Sequence, residues 1–216
     1  MINRLKGTLR IIYKDSLFAV VDKQAGLLSV PGRGEDKQDC VVSRLKFLFP
    51  YCMDQPAVHR LDMDTSGLMV LALTSYAHRH LSIQFQNRIV KKSYVALLDG
   101  IVKEEAGEIR LPFRLDTCNR PYQVYDPING KTGISLWKNM GNNKGRTRIE
   151  FVPITGRTHQ LRVHSAHELG LGCPIVGDRL YGNGRSGDQL MLHARYLSFR
   201  HPKNGETVEF ELKVPF

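Results

Sequence analysis

The sequence lacks several features that would place it elsewhere. No stretch approaches the roughly 20 apolar residues of a membrane-spanning helix; the apolar run Leu68–Leu73 stops after six. Met1–Gly7 (MINRLKG) has no apolar core of a secretory signal. The four cysteines, at 40, 52, 118 and 173, form no Cys-x-x-Cys pair, which argues against a disulfide framework or a zinc ribbon. His159, His164 and His167 are spaced unlike a common zinc site, so no metal is expected. There is no internal repeat, low-complexity tract or linker. Acid is scarce: 21 Asp and Glu face 31 Lys and Arg, a formal charge of +10. These features predict a cytoplasmic protein with no membrane partner. With 216 residues, 42% of them hydrophobic, a single domain spanning 1–216 is expected. The basic excess suits a polyanion, nucleic acid first, and on charge alone a generally basic soluble protein is the equal alternative.

Periodicity gives the elements. Leu9–Tyr13 and Leu17–Val21 read as strands around the turn Lys14–Ser16. Val41, Leu45, Leu48 and Phe49 recur at helical spacing, predicting a helix over Cys40–Phe49 that ends before Pro50. Leu68–Leu73 is a buried strand. Thr74 or Ser75 caps a helix that puts Ala77, Leu81 and Phe85 on one face. Ser93–Leu98, Thr132–Trp137 and Arg146–Val152 read as strands, and Lys103–Glu108 as a charged loop. Asn204-Gly205 marks a hairpin between Tyr196–Arg200 and Thr207–Val214. The expected fold class is mixed α/β (α+β), with a largely antiparallel central sheet flanked by helices and loops.

Two polar stretches stand out against this frame. Val58-His59-Arg60-Leu61-Asp62-Met63-Asp64-Thr65-Ser66-Gly67 runs directly into the buried strand. A loop carrying His59, Arg60, Asp62 and Asp64 is thus tied to the core at its end, a common setting for reactive groups. The plainer reading makes Asp62 and Asp64 turn carboxylates. The second stretch is Gly156-Arg157-Thr158-His159-Gln160-Leu161-Arg162-Val163-His164. Thr158 reads as a helix N-cap, with helix to about His167, and the free N–H groups there could hold an anion. The plainer reading is a capped helix with polar residues facing water.

Together these stretches resemble the two signatures of RluA-type pseudouridine synthases. Val20–Lys23 with Gly26–Gly32, Lys92–Ala96, Arg120-Pro121, Gly130-Lys131 and Pro174–Gly182 extend the similarity over nearly the whole chain. The resemblance implies the pseudouridine synthase fold, a catalytic domain without an S4 module, a monomer, and no cofactor. It implies Asp62 as catalytic carboxylate, Tyr94 as stacking ring and proton relay, and Arg162 as the partner of Asp62. Leu161 packs beneath Tyr94. Arg60 fills the vacated stack or holds the distorted loop, His59 assists, and Arg157 and His159 contribute donors to substrate. The implied partner is RNA, in the tRNA anticodon stem-loop, a 23S rRNA hairpin loop, or both. Gln24 stands where the family usually has proline. The segment Ser165–Cys173 is longer than the pattern, with Cys173 where His is common; this bears on the RNA target rather than the chemistry. Two other classes were weighed: an RNA-binding protein without activity, and a glycoside hydrolase using Asp62 and Asp64. Carboxylates at i and i+2 of one short loop are poorly placed to flank a bond at the ~5–9 Å that such hydrolysis uses.

Overall fold

The structure, a computed structural model, describes residues 8–216. Among these residues the strands are β1 Arg10–Lys14, β2 Phe18–Lys23, β3 Ser66–Ala72, β4 Lys91–Asp99, β5 Ala106–Leu115, β6 Gln123–Tyr125, β7 Lys131–Asn143, β8 Arg146–Pro153, β9 Leu192–Arg200 and β10 Thr207–Glu211. The helices are α1 Val41–Leu48, α2 Ser75–Gln86 and α3 Gln160–Ala166. Strands dominate and the sheet is mostly antiparallel, with β1–β2, β2–β3, β9–β10, β4–β8, β7–β8, β5–β7 and β5–β6 so paired, which is the mixed α/β class read from the sequence. The chain packs as two compact units: residues up to Lys92 with Ala194–Lys213, and Ser93–His193 with Val214–Phe216. No linker marks this division, because its exchange points fall inside β4 and β9.

In the first unit the strand order is β1-β2-β3-β9, with β10 on β9. All seven residues of β3 are buried, which is why its sequence is a continuous apolar run rather than an alternation. Phe18 and Val20 of β2, Leu68, Val70 and Ala72 of β3, and Ala77 and Leu81 of α2 share one core with Leu197 and Phe199. Thr74 Oγ1 accepts the Ala77 N–H at 3.2 Å and starts α2 as expected. At α1 the cap is a cysteine: Cys40 Sγ accepts from Ser43 N, and Ser43 Oγ accepts from Cys40 N. Gly67 opens β3 at φ +111°, and a Cβ there would lie 2.3 Å from the Ala194 carbonyl oxygen. Only glycine allows the two backbones to approach so closely. The register sets Lys23 of β2 opposite Gly67, beside the polar loop.

The second unit has the order β4-β8-β7-β5-β6. Its core draws Ala96 and Leu98 from β4, Leu111 and Phe113 from β5, Ile149 and Phe151 from β8, and Leu161 and Val163 from α3. Gly133 of β7 lets α3 lie close, since a Cβ there would meet His164 Nε2 at 2.9 Å and Phe113 at 2.7 Å. Two expectations are corrected. The charged segment Lys103–Glu108 enters β5 at Ala106, because pairing with Lys138 and Trp137 of β7 overrides its polar composition. Helix α3 starts at Gln160, and its N-cap is His159 in the left-handed region (φ 56°), not Thr158.

Candidate active site

The Asp62 loop is fastened on both sides of the aspartate. Ser29 Oγ donates to the Leu61 carbonyl at 2.6 Å and accepts the Leu61 N–H at 3.0 Å. One residue beyond Asp62, the Met63 carbonyl accepts from Lys23 Nζ at 2.7 Å and from Gly26 N at 3.0 Å. The Asp62 carbonyl itself accepts the Thr65 N–H at 3.2 Å, closing the turn. Asp62 is therefore a half-buried side chain on a backbone held before and after it. Arg60 and Met63 are exposed.

Lys23 is the unexpected member of this loop. Its side chain is fully buried at the end of β2. Its ammonium donates to three carbonyls, Leu27 at 2.6 Å, Met63 at 2.7 Å and Gln24 at 3.0 Å, so all three N–H groups are used. Burial pushes its pKa down to about 7, opposed by the negative charges of Asp64 and Asp62. It is the cation that the Asp62 loop receives from its own unit. Lys23→Met keeps the stem but takes the donor from the buried Leu27 carbonyl, at about 1–3 kcal/mol for one unsatisfied group, while Met63 and Gln24 keep the Gly26 and Leu27 N–H groups. The expected result is a melting temperature lower by roughly 5–10 °C, at about 2–4 °C per kcal/mol for a chain of this size. Activity should fall as well, since the loop loses one of its ties at Met63. An unchanged melting curve, read by circular dichroism, would contradict the tethering role.

His59 was assigned to substrate by resemblance, and the structure gives it a task within the fold. Its Nε2 accepts the Val70 N–H at 3.0 Å, so the ring is neutral with its proton on Nδ1. The ring stacks on Phe85 with centroids 4.6 Å apart. Burial first, and the charge of Lys92 second, push its pKa down to about 3. His59 thus ties the loop to β3.

In the second unit, Tyr94 of β4 is half-buried and packs against the core cluster that contains Leu161. Arg162 is buried, and its Nε and Nη2 donate to Asp178 Oδ2 and Oδ1 at 2.8 and 2.6 Å. Asp178, with no exposed side chain, was not named among the expected site residues. Burial would raise its pKa, but the hydrogen bonds and charge of Arg162, with the Tyr181 and Leu180 N–H groups, hold it below the usual carboxylate range. The guanidinium is thus one half of a bidentate pair that engages its Nε and Nη2. Tyr181 covers it, with the Arg162 guanidinium carbon 5.3 Å from the ring centre.

Tyr181 also reaches His159. Its hydroxyl accepts the Gln123 N–H at 2.7 Å and lies within hydrogen-bond distance, 2.9 Å, of His159 Nδ1. Gln160 binds the loop before α3: its Oε1 accepts from Thr155 Oγ1 and Arg157 N, and its Nε2 donates to Ile134 O and Ser135 Oγ. The Arg157 amide is thus bonded, while the Arg157 side chain is exposed. His164 is buried and neutral, its pKa lowered by burial to about 4. Among the described residues no cluster of His, Cys, Asp or Glu could hold a metal ion.

Lys23, Ser29, Asp178 and Tyr181 carry the site's hydrogen bonding without having been assigned a role from sequence. Each lies in a block that the sequence singled out, Val20–Lys23, Gly26–Gly32 or Pro174–Gly182. A lysine ending an apolar strand does not reveal that three carbonyls await it.

Comparison with known proteins points one way. The sequence profile described as RNA pseudouridylate synthase matches residues 17–167. The dual-specificity RNA pseudouridine synthase RluA of Haemophilus influenzae is 42% identical over 218 residues, covering 98% of this chain and 96% of its own. The enzyme of the same name from Escherichia coli K12 is 41% identical, covering 96% and 94%. The solved structure of human RNA pseudouridylate synthase domain containing 1 superposes with a TM-score of 0.76 at 31% identity, covering 97% of this chain and 84% of that one.

Proposed function

The chain belongs to the RNA pseudouridylate synthase family, and from that premise we propose that Asp62, Tyr94 and Arg162 carry its reaction, the isomerisation of uridine to pseudouridine in structured RNA. The uridine N1–C1′ bond breaks, the base turns, and C5 bonds to C1′; the C5 proton leaves and N1 gains one. Nothing is oxidised and no group is carried, so the balance calls for no redox or group-transfer cofactor. Asp62 acts as nucleophile or anionic stabiliser. Tyr94 stacks on the base and relays the proton, and Leu161 supports its ring. Arg162, its guanidinium oriented by Asp178, supplies the cation that the resemblance pairs with Asp62. The observation that carries this reading is the fastening of Leu61 and Met63 on either side of Asp62, which holds one carboxylate still while its neighbours remain open.

A uridine in a stem-loop must leave its stack, at a cost of a few kcal/mol. Arg60, exposed two residues before Asp62, fills the vacated space. Arg157 and His159 serve the flanking backbone, and His59 contributes by holding the loop. Relatives more than 40% identical are named as dual-specificity enzymes, which supports two RNA targets: a tRNA anticodon arm and a 23S rRNA hairpin. We take the protein to act as a monomer in the cytoplasm. None of its described helices is long and apolar enough to cross a membrane. The test is tritium release from 5-³H-uridine stem-loops of both kinds. Both should be substrates, with binding that weakens steeply with salt because phosphates dominate affinity. Modification confined to assembled ribosomal particles would contradict the assignment.

A further inference from the structure

The hairpin joining β7 and β8 carries cations that the reaction does not use. From Lys138 to Ile149 the chain holds Lys138, Lys144, Arg146 and Arg148 and no carboxylate. On β8 the alternation separates two faces. Thr147, Ile149 and Phe151 are buried, the last two against α3 in the core, whereas Arg146 and Arg148 point the other way. On that outer face Lys144, Arg146 and Arg148 line a cleft of about 410 Å³ with Leu97, Asn142 and Asn143. This is within the size range of small-ligand sites.

Three details make the cleft more than a basic surface. Arg148 is ordered: its Nη2 donates to the Phe216 carbonyl at 2.7 Å, and its guanidinium lies 5.6 Å from that residue's ring centre. Lys144 (φ +49°) and Gly145 (φ +75°) are the central residues of the two-residue turn joining β7 and β8, which sets Lys144 at the hairpin tip. Asp99 lies 3.7 Å from Arg146, with both side chains about half exposed, and Glu150 follows Arg148 on the same outer face of β8. The concave shape concentrates the remaining positive field, and two side-chain amides add neutral donors.

We propose that this cleft binds the sugar–phosphate backbone of substrate RNA, at a segment outside the stem-loop that contains the target uridine. The cleft opens on the sheet face opposite the one from which Tyr94 and α3 project, so a short hairpin seated at Tyr94 does not extend to it. This rests on the reading that Tyr94 and Arg162 mark the place of the reacting base.

The experiment compares a full-length tRNA with its isolated anticodon stem-loop. Dissociation constants are measured by fluorescence anisotropy across a salt series, for wild type and Lys144→Gln/Arg146→Gln/Arg148→Gln. Because Arg148 also holds Phe216, Lys144→Glu/Arg146→Gln is measured beside it. Lys37→Gln/Lys103→Gln/Lys203→Gln, at exposed positions elsewhere, controls for net charge. For tRNA, the cleft variants should bind at least tenfold more weakly. The slope of log K against log salt should be shallower by about 2, at ~0.7–0.9 per lost phosphate contact. Stem-loop affinity and turnover should stay within twofold, as should both RNAs with the control. Unchanged tRNA binding overturns the proposal, as does an equal loss on the stem-loop or in the control. If wild type binds both RNAs but converts neither, the catalytic reading fails instead, and the binding difference still decides the cleft.

Discussion

Asp62→Asn is expected to abolish pseudouridine formation, by a factor on the order of 10⁴, the scale seen when an essential member of a catalytic set is removed. The amide keeps the size and much of the hydrogen bonding of the carboxylate but has neither its charge nor its nucleophilicity. The loop should survive the change, because Ser29, Lys23 and Gly26 hold it through the backbone of Leu61 and Met63 and not through the Asp62 side chain. Melting temperature and RNA affinity should therefore stay near wild type, and only tritium release should collapse. Asp64→Asn should be mild by comparison. If Asp62→Asn retained a normal rate, or if its loss of activity merely followed a loss of fold, the assignment would fail.

The next largest effect is expected at Arg162, where two contributions can be separated. Arg162→Met removes the guanidinium from the site and leaves the Asp178 carboxylate buried without its cation. Breaking a buried pair from one side costs about 3–5 kcal/mol, and activity should vanish with it. Arg162→Lys keeps the charge but not the planar fork that meets both Asp178 oxygens, so it should retain a fraction of activity at reduced stability. The informative variant is Arg162→Met/Asp178→Leu. Exchanging a buried ion pair for apolar groups is often neutral for stability, so melting should recover towards wild type while tritium release stays absent. Recovery of both would mean that the pair serves the fold alone. Acid should weaken this pair in the wild-type enzyme. The Asp178 pKa is lowered in the folded state, so its contribution is complete above the unfolded carboxylate pKa of about 4 and is lost as pH falls below it.

Much of the fold was legible because its signals are local. The run Leu68–Leu73 is buried along its length, Thr74 caps α2, and Asn204-Gly205 turns the β9–β10 hairpin. What failed depended on distant partners. Lys103–Glu108 looked like a loop until β7 offered Ala106 a neighbour to pair with. Thr158 had the chemistry of an N-cap, but Gln160 took the available amide and hydroxyl and left His159 to adopt the cap position. Of the site, the residues that meet substrate were readable by resemblance, since they lie within dense motifs. The residues that hold them were not. Asp178 is sixteen positions from Arg162, and Lys23 forty from Met63, so each pairing exists only once the chain has folded.

The claim on which everything else depends is that this protein isomerises uridine and neither merely binds RNA nor cleaves the glycosidic bond. The most direct measurement is nucleoside analysis of a tRNA anticodon stem-loop incubated with the purified protein, followed by digestion and chromatography coupled to mass spectrometry. Uridine should fall by one equivalent as pseudouridine of identical mass rises by one, with no free uracil, and the same incubation with the Asp62→Asn protein should leave uridine intact. Release of uracil with an abasic product, or stable binding without any change in nucleosides, would contradict the account.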